Sequence, residues 1–198
     1  MNPVRKVDHP DENGPWKVHE RTIQYENEFG LKVFEDTVTR PDNKLGIYGF
    51  TSIPNGVLIL PIDELCNVYL NRGFQYGAGI WSVEVVGGGI QNGEKSLDAA
   101  KRELKEELGI TAGSWADIGT FYPLTGPIQC SNHGYIAREL SFGEHNRGGT
   151  EVMEQEVISL REAVDKVLNG KIVDASTMAM ILKADQLIGL SKLEQLTL

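Results

Sequence analysis

Between Ser96 and Leu108 the chain places three glutamates on one side of a helix and two lysines on the other. Leu97, Ala100, Leu104 and Leu108 recur at three- and four-residue spacing, which predicts an amphipathic helix. Ser96 stands where an N-cap belongs, and Gly109 where a left-handed residue ends the last turn. At about 100° per residue, Glu106 and Glu107 fall about 60° and 40° to either side of Glu103, so the three carboxylates form one narrow stripe. Glu103 faces Glu107, and Lys101 faces Lys105, each at i,i+4. Both like-charged pairs weaken an isolated helix. A helix that needed only solubility would interleave the signs, so something else favours the segregation.

A divalent cation resolves the repulsion, because clustered carboxylates bring several hard oxygen ligands to one point. Mg2+ suits such a set: it keeps waters and completes its octahedron with phosphate oxygens. The neighbouring residues agree. Ala99 lies on the same stripe one turn earlier, where a small side chain leaves room. Gly87, Gly88 and Gly89 read as a tight loop ending a strand over Trp81 to Val86, and their missing side chains let a backbone carbonyl approach as a further ligand. Glu94 adds a fourth acid, and Arg102 reaches Glu106 at i,i+4 and can orient it.

Composition narrows the partners. The 198 residues suit one domain of ordinary size with a small appendage. With 28 acidic against 19 basic side chains, a net charge of −9 and no Lys/Arg run, duplex nucleic acid held by its phosphates is excluded as the main partner. No apolar stretch approaches the roughly 18 residues of a membrane span, and the first ten residues lack the apolar core of a secretory signal. The expectation is a cytoplasmic protein that does not bind membranes. Cys66 and Cys130 have no Cys-x-x-Cys spacing and read as buried thiols.

Lys17 to Ile53 alternates and is punctuated by turn residues, which predicts an antiparallel β meander, so residues 1–53 read as an N-terminal appendage and 54–198 as the main domain. Val57–Leu60 and Leu65–Leu70 read as core strands, with further strands near Ile118–Tyr122, His133–Glu139 and Glu154–Ile158. Ser159 and Glu162 have capping-box spacing ahead of a helix over Ala163–Leu168, and Asp174–Leu187 reads as a closing helix.

Gly88-x5-Glu94-x7-Arg102-Glu103-Leu104-x-Glu106-Glu107-x-Gly109-Ile110 resembles the Nudix box, G-x5-E-x7-R-E-U-x-E-E-x-G-U, at every specified position. The resemblance implies an α/β (α+β) fold, an α/β/α sandwich with a mixed β-sheet between helices, joined to the N-terminal antiparallel β meander. It implies Mg2+-dependent hydrolysis, with Mn2+ as a possible substitute. Glu103 and Glu107 become the principal metal ligands, Glu106 a further ligand directly or through water, and Gly87 the donor of a carbonyl.

The flanks resemble the ADP-ribose and nucleoside diphosphate sugar pyrophosphatases. Leu70-Asn71-Arg72-Gly73-Phe74-Gln75-Tyr76 and Trp81-Ser82-Val83-Glu84 resemble the segment before their box, and Gly170-Lys171-Ile172-x-Asp174-Ala175-x-Thr177 their C-terminal helical signature. Gln75 stands where relatives often carry a second arginine, and Val85-Val86-Gly87-Gly88 where they carry a Leu-Pro-Ala-Gly turn, so ADP-ribose, GDP-mannose and a broad nucleotide-sugar range stay open. The meander resembles the domain through which these enzymes form homodimers. Arg72 is a candidate phosphate contact, Glu84 a second substrate contact, and Tyr25 and Phe29 candidate stacking platforms for a nucleobase. By resemblance Glu151, just before the last strand, is the expected catalytic base, with Glu154 and Glu144 as alternatives in the same acidic, glycine-rich loop. His133 and His145 read as a strand and a loop residue. The other readings are a Nudix hydrolase of dinucleoside polyphosphates or nucleoside triphosphates, and a noncatalytic nucleotide-sensing module, which typically lacks one or more of the box glutamates.

Overall fold

In the computed structural model, which describes residues 5–143 and 153–196, the chain forms thirteen strands and three α-helices. The strands are β1 (Arg5–Val7), β2 (Glu12–Asn13), β3 (Trp16–Glu26), β4 (Lys32–Thr39), β5 (Leu45–Ser52), β6 (Gly56–Pro61), β7 (Asn67–Gln75), β8 (Ile80–Glu84), β9 (Val86–Gly89), β10 (Ile110–Phe121), β11 (Ile128–Gln129), β12 (Asn132–Phe142) and β13 (Met153–Ser159). The helices are α1 (Ser96–Leu108), α2 (Leu160–Leu168) and α3 (Ala175–Gly189). Two compact units divide them: Met1–Asn55 with Tyr122–Cys130, and Gly56–Phe121 with Ser131–Leu198.

The first unit is a single sheet ordered β1-β3-β4-β5-β11, with β2 paired to β3; every pairing is antiparallel except β11 on β5. The meander read from the sequence is its centre, and the segment 122–130 returns to extend it. Arg21 and Asp36 face each other across β3 and β4 in a bidentate pair, Nε to Oδ1 and Nη2 to Oδ2, both 2.7 Å. The guanidinium also lies over Phe50 and Phe34, 4.9 and 5.5 Å from the ring centroids.

The second unit is an α/β/α sandwich. Its four-stranded sheet runs β10-β12-β6-β9, mixed because β12 and β6 are parallel, and a second antiparallel sheet runs β13-β7-β8. β6 is buried at all six positions because both of its faces are covered. Val57 and Ile59 pack with Tyr135 and Ala137 against α1, while Leu58 and Leu60 pack with Ile136 against α2 and α3. This period-2 partition keeps one helix on one side of the sheet and two on the other.

Several local expectations change. Trp81–Val86 is not one strand: the chain leaves the β7–β8 sheet at Glu84 and enters the four-stranded sheet at Val86. Between them the Val85 N–H donates to the buried Thr177 hydroxyl at 3.1 Å, so the residue read as part of a C-terminal signature fastens α3 to this crossing. Gly87, Gly88 and Gly89 belong to β9 rather than to a loop. Ser96 is not the cap of α1. Lys95 holds that position without a side-chain bond, and the Ser96 hydroxyl instead meets the Tyr135 hydroxyl at 2.8 Å. Ala99 is wholly buried in the core, so its small size serves packing rather than an open site. Cys130 is buried as expected, but Cys66 is exposed at a positive-φ position.

The other helix ends behave as read. Gly109 is left-handed (φ 66°), and the Ser159 and Asp174 side chains cap α2 and α3 by accepting from the Glu162 and Thr177 N–H groups. Among the described residues no helix is long and apolar enough to cross a membrane.

Candidate active site

Helix α1 brings its glutamates to β9 because the adjoining apolar stripe, Ala100, Leu104 and Leu108, is fixed in the core, with Ala99 buried on the glutamate stripe itself. Antiparallel pairing sets Val57 opposite Gly88, so Gly88 shares the α1 face of the sheet. Its lack of a side chain is a steric requirement: a Cβ there would lie 2.1 Å from the Glu103 carboxyl carbon. Glu103 therefore rests against bare backbone, which any other residue would displace.

Arg102 organises the acids. Its guanidinium donates to both Glu94 oxygens at 3.0 and 2.9 Å, to Glu103 at 2.6 Å, to Glu106 at 3.2 Å and to the Gly89 carbonyl at 3.0 Å. The expected contact with Glu106 exists, but it is one of four. Glu94 also accepts from the Gln91 N–H at 2.9 Å, which closes the loop before the helix. One guanidinium against three carboxylates leaves a surplus of two negative charges, and Glu107 on the same stripe adds another.

The acids respond differently to this setting. Hydrogen bonds from Arg102 hold Glu94 below the ordinary carboxyl value. Burial pushes Glu103 above it despite the same guanidinium, and the charges of Glu106 and Glu94 add to the push. Arg102 is raised in turn, chiefly by its bond to Glu94.

Glu107 meets a residue the sequence reading passed over. Asn71, on β7 and 5% exposed, donates its Nδ2–H to Glu107 Oε2. Asparagine is disfavoured in strands, so one inside the run Val68 to Leu70 and beyond was the available signal. Directly opposite Asn71 on β8 stands Glu84, half-buried, its pKa raised by burial and by Asp174 against the pull of the Ser82 hydroxyl. Glu84 thus shares a strand face with the residue that holds Glu107.

The remaining candidates make contacts of their own. Arg72, next to Asn71, presents to the other face of β7, 3.5 Å from Glu154 and over the Trp81 ring at 5.6 Å. Glu154 is exposed on β13. Tyr25 and Phe29 are both exposed on the first unit. His133 is in β12, its Nε2 2.8 Å from Asp117 Oδ1. Glu151, Glu144 and His145 lie outside the described residues.

The donors suit a divalent cation in kind: hard carboxylate oxygens, backbone carbonyls along β9, and the Asn71 Oδ1, buried without a partner. They are not gathered for one. Among the described residues no three acidic, histidine or cysteine side chains converge as a metal ion requires, because Arg102 draws in Glu103 and Glu106 while Asn71 holds Glu107.

The NUDIX domain family model matches residues 53–179, a span that contains the whole site. The chain belongs to the NUDIX family. It is a Nudix hydrolase by that family and by its relatives. It is 28% identical over 165 residues to an ADP-ribose pyrophosphatase of Bacillus subtilis (strain 168), covering 81% of this chain and 89% of that one. It is 23% identical over 162 residues to a CMP-5'-(N-acetyl-N-hydroxy-3-aminopropyl)phosphonate hydrolase of Streptomyces rubellomurinus (strain ATCC 31215), covering 82% and 78%. A crystal structure of an ADP compounds hydrolase superposes with a TM-score of 0.78 at 19% identity, over 89% of this chain and 96% of the other, and it shows the same fold. The segment that resembles the Nudix box thus lies inside the matched span and carries the Arg102 hub and the Glu103 carboxylate seated on Gly88.

Proposed function

We propose that this Nudix hydrolase cleaves the diphosphate bridge of a nucleoside diphosphate sugar, such as ADP-ribose or GDP-mannose, in a Mg2+-dependent reaction that Mn2+ also supports. Water adds across the bridge, one P–O bond forms as another breaks, and the products are a nucleoside monophosphate and a sugar phosphate. The observation that carries this reading is the acidic surplus around Arg102, which makes the site electrostatically incomplete in the protein alone. The relatives' names support the substrate class, since each specifies a nucleotide joined to a second group.

Glu103, Glu106 and Glu107, with the Gly87 carbonyl, are the residues that would hold the cation. When bound, such a cation neutralises diphosphate charge and lowers the pKa of an attacking water. The chain's own residues prepare that chemistry. Arg102 and Glu94 fix the direction of Glu103, and Gly88 gives its carboxylate room against β9. Glu151 takes the proton from water, with Glu154 or Glu144 in its place if Glu151 proves silent. Glu84 and Arg72 contact the substrate, and Tyr25 or Phe29 stacks on the base. The protein acts in the cytoplasm as a homodimer joined through its N-terminal sheet.

Incubation with a panel of nucleotide sugars and Mg2+, followed by chromatography, tests the reading. The expected products are the monophosphate and the sugar phosphate, and Glu107→Gln lowers turnover by at least about 10²-fold with folding retained. Turnover confined to nucleoside triphosphates or dinucleoside polyphosphates would overturn the substrate class. Unchanged turnover in Glu107→Gln would overturn the ligand set.

A further inference from the structure

Asn71 has a buried amide divided between one satisfied and one unsatisfied end. A carboxylate only accepts hydrogen bonds, so the side of the amide that meets Glu107 must be the nitrogen, and the oxygen is then turned away from that carboxylate. That Oδ1 is buried without a partner, in a residue only 5% exposed. A buried acceptor left without a hydrogen bond loses its water and gains nothing in return, so its full desolvation opposes folding. A leucine of similar size would avoid the penalty in this strand, where Val68 and Leu70 are already apolar. The amide is therefore explained by what it holds and by what reaches its oxygen.

We propose that Asn71 is a positioning residue for the cation site, an inference that rests on the ligand set of the preceding section. Its Nδ2–H fixes the direction of the Glu107 carboxylate, and its Oδ1 accepts a hydrogen bond from a water carried by the bound divalent cation. One side chain thereby steadies a ligand and a hydrating water together. This resolves the unsatisfied oxygen and explains why a strand-averse residue occupies a core position of β7. Arg102 supports Glu103 and Glu106 from one end of the stripe, and Asn71 supports Glu107 from the other.

The test is direct Mn2+ binding to the full chain without substrate, read from the loss of the free-ion electron paramagnetic resonance signal. Asn71→Leu keeps the volume and removes both polar ends, and it is expected to weaken Mn2+ binding about tenfold, as loss of a partner behind a metal ligand does. Asn71→Asp keeps the shape, removes the donor and adds an anionic oxygen facing the cation, and it is expected to bind Mn2+ more tightly than the wild type. Opposite signs from two isosteres are not produced by a packing role, which moves both variants the same way. Without metal, Asn71→Leu melts no lower than the wild type, since it buries no unmatched oxygen.

Mn2+ affinities within about twofold of the wild type in both variants, or equally weakened in both, would overturn the proposal. If Asn71→Leu does not fold, Asn71→Asp decides alone: tighter binding supports the role, and unchanged or weaker binding overturns it. Glu107→Gln separates this inference from its foundation. Unchanged Mn2+ binding there removes the ligand set itself, whereas weakened binding there with unaltered Asn71 variants removes only Asn71.

Discussion

Each unit of the molecule is anchored by an arginine among carboxylates, and the two arrangements differ in stoichiometry. Arg21 faces one acid, Asp36, in a symmetric fork, with aromatic rings over the guanidinium and the carboxylate almost wholly buried. Charge and hydrogen bonds close within the pair. Arg102 faces Glu94, Glu103 and Glu106 at once, with a backbone carbonyl taking part of one nitrogen. Its charge is overdrawn, and Glu106 stays half exposed. A closed pair holds a sheet together and asks for nothing further. An arginine outnumbered by its acids holds them in place for something that brings positive charge, and this separates a structural ion pair from a site without reference to sequence relatives.

The comparison can be broken at either end, and the largest effect is expected at the closed pair. Asp36→Ala strands a largely buried guanidinium and should destabilise the protein by about 3–5 kcal/mol in chemical denaturation, whereas joint replacement by Arg21→Met and Asp36→Leu should restore most of that loss. If the double variant is as unstable as the single one, the pair is not self-contained. Next comes Arg102→Met. Freed from the guanidinium, Glu103 and Glu106 lose their direction and repel, and turnover should fall about a hundredfold, worth about 2.7 kcal/mol of barrier. Here joint replacement with Glu94→Leu should rescue nothing. Recovery of turnover in that double variant would show that the hub is merely structural. Gly88→Ala is milder, since Glu103 has a flexible end and can swing away from a Cβ that would lie 2.1 Å from its carboxyl carbon. Turnover should drop at least about tenfold, as misplacement of a catalytic group does, while the melting temperature stays close to that of the parent.

What the sequence made legible follows the same division. Helix α1, its glycine stop and its buried stripe were readable because apolar periodicity and left-handed glycine are local properties. So were β6 and the caps of α2 and α3. The crossing at Val85 was not, because Trp81 to Val86 keeps one alternating pattern while changing sheets, and the reason lies in Thr177, 92 positions away. The glycine run looked like a loop because composition cannot tell a turn from a strand that must leave room for a carboxylate. Ser96 had the chemistry of a cap, but Tyr135 from β12 claimed its hydroxyl. At the site, the spacing of Glu103, Glu106 and Glu107 was visible on a wheel, whereas the reach of Arg102 back to Glu94 and the support from Asn71 depend on tertiary approach.

Glu84 gives the smallest and sharpest test, because it is acidic and half-buried yet has no guanidinium among the groups that shift it. It lies between the two extremes, neither closed nor outnumbered around a cation. Burial sets its pKa above the ordinary 4.5, with Asp174 adding and Ser82 opposing. A carboxyl raised on folding binds its proton more tightly in the native state. Its contribution to stability is therefore complete below the unfolded value and is lost as pH rises through the folded one. Glu84→Gln fixes the neutral form. Its melting temperature should match the wild type in acid, rise above it across the window that begins near 4.5, and hold a constant lead at higher pH. Glu94→Gln should behave oppositely. Arg102 lowers that carboxyl, so its stabilisation is present above the unfolded value and disappears as pH falls through the folded one, and the variant should trail the wild type at neutral pH and draw level in acid. Two glutamates of one unit would then show opposite pH signatures, set by whether hydrogen bonds from a guanidinium outweigh burial. If both variants shift in the same direction, partner count does not govern these carboxyls, and burial alone would have to account for the Arg102 cluster as well.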